Sequence, residues 1–115
     1  MSKIIVTGAS GFVGANLVKK IMNKNEIYIF TRKESDTWRL NDIKSEINVQ
    51  TINFENKNKI QSVVNKIKPD YVFHLATYGG YPFQQDVKTI VDSNIQNSIN
   101  LMQSLSEYGR LEKFI

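Results

Sequence analysis

The sequence contains no cysteine and only one histidine among its 115 residues. The absence of cysteine excludes a disulfide framework, a cysteine-ligated zinc site and a cysteine nucleophile. A histidine-rich site is not expected either, so the sequence predicts no bound metal. Hydrophobic and charged residues make up 41% and 23% of the chain, near the average for globular proteins, which excludes intrinsic disorder and fibrous folds. We therefore expect one domain spanning residues 1–115.

Long apolar runs are absent as well. No segment reaches the length that spans a bilayer, and the three apolar residues 4–6 near the N-terminus are too few for a signal-peptide core. We therefore expect a cytoplasmic protein without membrane contact. A formal net charge of +4 is compatible with nucleic-acid binding, but the lysines are scattered among acidic residues and no arginine-rich run occurs. The sequence therefore predicts a small anionic ligand and no nucleic-acid partner.

Apolar runs and helical periodicity alternate along the chain. This alternation predicts an α/β fold, a doubly wound parallel sheet of four to five strands with helices on both faces. A polar loop with one helical turn near Trp38 to Ile43 interrupts the pattern. The predicted strands are Lys3–Thr7, Glu26–Phe30, Ile47–Ile52, Tyr71–Leu75 and the opening of a fifth at Glu112–Ile115, and the helical stripes begin near Phe12, cover Ile60–Ile67 and extend from Val87 to Leu105.

A glycine-rich turn joins the first predicted strand to the first predicted helix. In this context Gly8 permits a tight turn, Gly11 lets backbone N–H groups approach a pyrophosphate, and Gly14 allows the helix to pack closely on the sheet. The helix N-terminus adds oriented amides and a partial positive charge. A flexible turn without a ligand is the alternative interpretation. The turn residues that we predict to contact a dinucleotide are Gly8, Ser10, Gly11, Phe12, Val13 and Gly14.

The spacing Thr-Gly-x-x-Gly-x-x-Gly in Thr7–Gly14 resembles the cofactor turn of the short-chain dehydrogenase/reductase superfamily. The step Phe12–Val13 looks like its extended, nucleotide-sugar branch. Segments Lys68–Ala76 and Asn94–Met102 are similar to the fourth strand and fourth helix of that branch, so the resemblance covers the whole chain in order. It implies a Rossmann fold, a nicotinamide cofactor and hydride transfer at a sugar carbon.

The residues after the second strand indicate which nicotinamide cofactor is bound. NAD-binding domains usually place a carboxylate there for the ribose diol. This chain has Thr31 and Arg32, whose hydroxyl and guanidinium suit a 2′-phosphate. We therefore predict NADP in preference to NAD, although Arg32 and Lys33 are also compatible with ordinary solvated charges. Glu34 and Asp36 are rival carboxylates for the ribose diol, but they lie further into the loop. At the end of the third strand the resembling family has an acidic residue and an apolar one that frame the adenine; here the pair is Asn53 and Phe54.

The end of the fourth strand faces the ligand crevice of a doubly wound sheet. The resemblance implies that Leu75, Ala76 and Thr77 pass the nicotinamide ribose and that the following loop meets the substrate. Tyr78 and Tyr81 in that loop are candidates for stacking on a sugar or base, or merely for anchoring the loop.

Two further polar residues have two interpretations each. The resemblance implies that Asn94 orders the active site, while the alternative is a buried helix residue bonded to a neighbouring loop. His74 is a candidate general base, but a structural role is favoured because it lies inside a buried-type strand without an obvious carboxylate partner.

Catalytic residues are missing from the chain. Enzymes of the resembling family use a Tyr-x-x-x-Lys pair after the fifth strand, and no such pair occurs here. We therefore expect an N-terminal portion of a larger enzyme that binds cofactor weakly by itself and catalyses nothing. Such a piece would leave the fourth strand with an unpaired edge and the long helix with an exposed apolar face. The resemblance implies that this helix forms a homodimer interface.

Three functions remain open from the sequence. The leading hypothesis is the cofactor-binding portion of an NAD(P)-dependent nucleotide-sugar epimerase, dehydratase or reductase. The segment His74–Thr77 with its aromatic loop is similar to sugar reductases, which favours reduction. The alternatives are a non-catalytic NAD(P)-binding redox sensor or regulator and a flavodoxin-like flavin binder.

Overall fold

The computed structural model describes residues 1–115 and contains one parallel sheet with helices on both faces. The predicted α/β class and the order of the elements are confirmed. The strands are β1 (Ser2–Thr7), β2 (Asn25–Thr31), β3 (Asn48–Thr51), β4 (Tyr71–His74) and β5 (Lys113–Phe114), and the helices are α1 (Phe12–Ile21), α2 (Lys57–Ile67), α3 (Val87–Val91) and α4 (Asn97–Tyr108).

The strand order is β3-β2-β1-β4-β5, and every neighbouring pair is parallel. This is the order of a Rossmann sheet, in which the chain reverses direction across the sheet between β1 and β4. Such a switch point leaves a crevice outside the carboxyl ends of these two strands, where ligands bind.

Each face of the sheet has its own hydrophobic core. Successive strand residues point to opposite faces, so Ile4 and Val6 pack with α1 while Ile5 packs with α2 and α4. The polar loop after β2 supplies two short 3-10 turns, Trp38–Leu40 and Lys44–Glu46, and Leu40 is buried on the α1 face. The helical turn predicted near Trp38 is therefore present.

The sequence-based expectation that β4 carries the unpaired edge is wrong. Short as it is, β5 pairs with β4 through Tyr71 opposite Lys113 and Val72 opposite Phe114. The open edge of the sheet on this side therefore belongs to β5. None of the helices combines the length and apolar character that crossing a bilayer requires.

The long helix predicted from Val87 onward contains an irregular turn. Residues Asp92–Gln96 form a π turn between α3 and α4, in which the N–H of Asn97 donates to the carbonyl of Asp92. Such turns hold one extra residue and occur frequently at functional sites. At the other end, Gly109 adopts a left-handed conformation with φ of 72° and ends α4.

The apolar stripe of this helix faces mostly outward. Leu105 is buried, but Val87, Val91, Ile95, Ile99 and Met102 are exposed. The face that packs on the sheet instead consists of Asn100, Leu101, Ser104 and Leu105. The expected exposed apolar face is therefore present. The apolar stripe in the sequence marks this exposed face rather than the face of α4 that packs in the core.

Candidate functional site

A cleft of about 300 Å³ opens at the carboxyl ends of the central strands. The glycine-rich turn, the end of β2 and the end of β4 form its walls. Every residue predicted to contact a cofactor lies here except Asn53. The predicted residues that line it are Gly8, Ser10, Gly11, Phe12, Val13, Gly14, Thr31, Arg32, Phe54, Leu75, Ala76 and Thr77, together with Tyr81 from the substrate loop.

Gly8 and Gly14 are required by the close packing of the protein's own backbone. Gly8 has a positive φ of 71°, and a Cβ built there would lie 2.5 Å from the carbonyl carbon of Leu75. A Cβ on Gly14 would lie 2.2 Å from the carbonyl oxygen of Gly8. Gly8 thus has the predicted turn role, whereas Gly14 lets the helix approach the turn rather than the sheet.

Gly11 has a different environment. Its backbone is extended, with φ of −78° and ψ of 171°, a conformation open to any residue. A Cβ there would meet only the Gly8 carbonyl oxygen, at an ordinary contact distance of 3.4 Å. The fold itself therefore does not need glycine at this position, and the space that it leaves opens into the cleft.

The N-terminus of α1 presents unpaired donors to this space. No side chain caps the helix, and the first intrahelical bond runs from the Ala15 N–H to the Gly11 carbonyl at 2.9 Å. The N–H groups of Phe12, Val13 and Gly14 are therefore without a partner in the protein. Three free amides and the positive end of the helix dipole form an anion-binding arrangement.

The end of β2 provides a buried hydroxyl and a free cation. Thr31 is buried and Arg32 is exposed, and both line the cleft. The Arg32 side chain forms no ion pair with a carboxylate of the chain. Its guanidinium is therefore available to an anionic group that occupies the cleft.

Asn53 does not line the cleft. Its Oδ1 accepts the N–H of Glu55 at 3.0 Å, a local turn that keeps the side chain occupied. It lies instead in an adjoining polar hollow of about 820 Å³, which it shares with Phe54 and Arg32. Asparagine side chains often form such local turns, and this competing role accounts for the difference from the predicted adenine contact.

Asn94 lies in the π turn and binds the loop after β4. Its Oδ1 accepts the N–H of Tyr78 at 2.9 Å and the hydroxyl of Thr77 at 3.1 Å, and its Nδ2 donates to the Tyr78 carbonyl at 2.6 Å. The side chain therefore holds the loop and does not line the cleft. Tyr78 likewise lies outside the cleft, whereas the ring of Tyr81 lines it and stacks on Phe83 with ring centroids 5.4 Å apart.

His74 contacts two hydroxyl groups. Its Nδ1 lies 2.6 Å from the Thr7 Oγ1 and its Nε2 lies 2.8 Å from the Ser98 Oγ. Burial lowers its pKa below the usual 6.5. The side chain is absent from the cleft lining, which agrees with the structural role favoured by the sequence.

Two tyrosines have a raised pKa, the opposite of the lowered pKa that a tyrosine general acid/base needs. A hydrogen bond to Glu26 raises the pKa of Tyr28 to about 12, and a hydrogen bond to Glu112 raises that of Tyr71. Both lie away from the cleft. The chain also contains no group of three or more His, Asp or Glu side chains arranged around a metal position.

Three residues near the site were missed by sequence reasoning. Phe30 and Ser35 line the cleft on either side of the Thr31–Arg32 pair. Arg39 donates from Nη1 to the Ser10 carbonyl at 3.1 Å and lies 4.5 Å from the centre of the Trp38 ring. The contact with the Trp38 ring could have been inferred from the sequence, because the two residues are neighbours. The contact with Ser10 could not, because it depends on how the loop folds back onto the glycine-rich turn.

The comparison with known proteins agrees with this geometry. The model of the NAD-dependent epimerase/dehydratase family matches residues 4–115. The chain is 32% identical over 103 residues to GDP-6-deoxy-D-talose 4-dehydrogenase of Aggregatibacter actinomycetemcomitans, covering 90% of this chain and 30% of that protein.

Solved structures share the fold. UDP-glucose 4-epimerase of Thermotoga maritima, solved with UDP-glucose, superposes with a TM-score of 0.84 at 24% identity, over 97% of this chain and 36% of that one. The Bordetella bronchiseptica enzyme WbmG in complex with NAD gives a TM-score of 0.83 at 22% identity, over 98% and 36%. The chain thus spans about a third of the length of these relatives. Since the family match extends from residue 4 to residue 115, the chain belongs to the NAD-dependent epimerase/dehydratase family.

Proposed function

We propose that this chain is the dinucleotide-binding portion of an oxidoreductase that acts on a nucleotide-activated sugar by epimerisation, dehydration or ketone reduction. The observation that carries the proposal is the set of unpaired N–H groups of Phe12, Val13 and Gly14, which line the cleft together with Gly11. The family match favours this enzyme portion over a non-catalytic regulator or a flavin binder.

The residues of this chain have binding and positioning roles in that reaction. The helix amides and the glycine-rich turn hold the pyrophosphate, and Phe54 packs against the adenosine end. A nicotinamide held in the cleft would be the group that gives or takes up the hydride. We assign the role of general acid/base to none of the cleft side chains, because residues 1–115 contain no Tyr-x-x-x-Lys pair.

The proposed cofactor is NADP, with NAD as the alternative. Thr31 and Arg32 stand where a carboxylate would bind an unphosphorylated ribose. The unpaired Arg32 guanidinium provides charge-assisted hydrogen bonds to a 2′-phosphate, which are stronger than neutral ones. WbmG is described in complex with NAD, so the preference for NADP is a property that we propose for this chain and not for the family.

Thermal unfolding with and without cofactor tests both parts of the proposal. A ligand at 100 times its Kd adds roughly 2.7 kcal/mol to the free energy of unfolding, which raises the Tm of a domain of this size by several degrees. We expect NADPH to raise the Tm more than NADH does. Equal shifts, or a larger one with NADH, would contradict the preference, and no shift with either would contradict cofactor binding by this chain.

A matched pair of variants assigns the preference to one side chain. Arg32→Gln removes the cation at the cleft, whereas Arg110→Gln makes the same charge change at an exposed residue beyond α4, at the opposite end of the sheet. We expect the NADPH shift to fall to the NADH level in the first variant and to persist in the second. If both variants keep the preference, the 2′-phosphate does not contact Arg32.

The substrate and partner assignments follow from the same geometry. We assign Tyr81 to substrate or nicotinamide contact, since its ring lines the cleft, and assign Asn94 and Tyr78 to holding the loop in place. We further propose that the exposed face of α3 and α4 pairs with a second copy of the protein. The cytoplasmic location and the N-terminal placement of this domain in a longer enzyme remain predictions from the sequence.

A further inference from the structure

The hydroxyl of Thr7 receives two backbone N–H groups from the end of β4. The donors are the amides of Leu75 at 3.1 Å and Ala76 at 3.2 Å. A hydroxyl oxygen has two lone pairs and one proton. Because both lone pairs accept from these amides, the hydroxyl proton is left as the donor to the third contact, the Nδ1 of His74 at 2.6 Å.

This arrangement fixes the proton on the other imidazole nitrogen. If Nδ1 accepts the Thr7 proton it carries no proton of its own, so the neutral ring is protonated at Nε2. The Nε2–H then donates to the Ser98 Oγ at 2.8 Å. The direction of donation is therefore Thr7 to His74 to Ser98, from β1 through β4 to α4.

The Thr7 hydroxyl is important because it holds the wall of the cleft. The Leu75 amide has a second acceptor, the Thr7 carbonyl at 3.2 Å, but the Ala76 amide has only the hydroxyl. At the same place the Gly8 backbone lies directly against Leu75 and Ala76. A hydroxyl turned away from this position would leave the Ala76 N–H unpaired beside the glycine-rich turn.

We propose that His74 is a positioning residue, a neutral imidazole protonated at Nε2 that orients the Thr7 hydroxyl and thereby fixes the Leu75–Ala76 wall of the cleft. Its second bond, to Ser98, ties this wall to α4. The importance of the wall rests on the proposed function, but the proton position and the bond to Ala76 can be measured without any cofactor.

The single histidine makes the first test unambiguous. Long-range ¹H–¹⁵N correlation spectra of the full chain at pH 7.5 report which ring nitrogen carries the proton. We expect a protonated Nε2 and an unprotonated Nδ1 in the native chain and in Ser98→Ala, and a mixture of tautomers in Thr7→Val. A native ring protonated at Nδ1, or at both nitrogens, would overturn the inference.

Hydrogen exchange of the Ala76 amide tests the positioning role. His74→Asn keeps an acceptor near the Nδ1 position, whereas His74→Leu has none. Since one hydrogen bond is worth about 1 kcal/mol net, we expect exchange about fivefold faster in His74→Leu than in the native chain, and restored toward the native rate in His74→Asn. Equal exchange in all three proteins would overturn the positioning role.

A milder pair of variants covers the case in which His74→Leu does not fold. Ser98→Ala removes only the acceptor of the Nε2–H, and Ser106→Ala makes the same change at an exposed position of α4. Because the Ser98 bond holds the ring in place without setting its tautomer, we expect faster Ala76 exchange in the first variant alone. Equal rates in both variants would overturn the part of the inference in which His74 ties the wall to α4. NADPH binding is measured separately, so its absence would contradict the proposed function while these readouts still decide the role of His74.

Discussion

At the scale of single residues, three glycines of one motif have separable roles. Gly8 and Gly14 are enclosed by backbone atoms of the protein itself, whereas Gly11 has an ordinary conformation and room for a Cβ. A glycine motif is normally interpreted as a unit. Here the distances distinguish the residues that the fold needs from the one that only a ligand would need.

Alanine substitutions at two of these positions should therefore affect different properties, stability at Gly14 and cofactor binding at Gly11. Gly14→Ala places a Cβ 2.2 Å from the Gly8 carbonyl oxygen, so we expect the free energy of unfolding to fall by about 1–3 kcal/mol from overpacking. Gly11→Ala should leave this free energy within about 0.5 kcal/mol of the native value, as ordinary surface substitutions do, but should abolish the Tm shift with NADPH.

Denaturant titration and thermal unfolding with cofactor measure the two effects separately. A Gly11→Ala protein that keeps its NADPH shift would mean that the pyrophosphate does not approach this residue. A stable Gly14→Ala protein would mean that α1 can move away from the turn at little cost.

At the scale of elements, the π turn keeps apolar residues that are spaced four apart on one side of the helical segment. Val87, Val91, Ile95 and Ile99 repeat every fourth residue, and such a stripe drifts about 40° per step around a regular α-helix. The extra residue of the π turn offsets most of that drift. The four side chains therefore stay on one exposed side, next to Met102.

This continuous apolar side predicts self-association of the chain. We expect a dimer at micromolar concentration in sedimentation velocity experiments, because exposed apolar patches of this kind mark interaction surfaces. Ile95→Glu puts a charge in the middle of the patch and should give a monomer. Gln103→Glu adds the same charge at an exposed position of α4 outside the patch and should leave the dimer intact. A native chain that sediments as a monomer would contradict the proposed interface.

At the scale of the whole molecule, the sequence predicts local features better than distant contacts. The strands follow from short apolar runs, and the cleft follows from the glycine turn and the rule that parallel sheets bind ligands at their carboxyl edge. The π turn was not predictable, because the Asn94 side chain that lies in it bonds to Tyr78, 16 residues away. The hydrogen-bond partners of Arg39 and His74 are likewise distant in the sequence, and hydrophobic periodicity gives no information about such contacts.

The inward face of α4 shows a different limit. Hydrophobic periodicity identifies an apolar stripe but not whether the stripe faces the core or another protein. Here the core face carries Asn100 and Ser104, whose donor groups bind the backbone carbonyls of Phe54 and Asn100, while the Asn100 Oδ1 accepts from the Gln96 Nε2. Polar residues in such positions are assigned to the outside when only the sequence is known.

Stability of the whole chain should depend on pH through His74. Its pKa is lowered in the folded state by burial, so between this value and the unfolded value of 6.5 the unfolded chain binds more protons. The contribution of the neutral ring to the free energy of unfolding is therefore fully present above pH 6.5. It is lost as the pH falls through 6.5 toward the folded pKa. Arg32 is the charged side chain that lines the same small cavity as the ring.

Urea unfolding at pH 7.5 and pH 5.5 measures this dependence. We expect the difference in unfolding free energy between the native chain and His74→Asn to shrink at the lower pH. Asp86, whose pKa is lowered by its hydrogen bonds to Thr89, titrates well below this window and leaves the comparison unaffected. A difference that stays constant, or grows, would show that the ring is not held neutral.

The position of Trp38 gives the cleft an intrinsic optical reporter. It is the only tryptophan of the chain, its ring lies against Arg39, and Arg39 holds the Ser10 carbonyl of the glycine-rich turn. A ligand that shifts this turn changes the environment of the indole through one intervening side chain. Because Trp38 is 58% exposed, its emission is also open to quenching, so occupancy of the cleft can be followed by fluorescence without an added label.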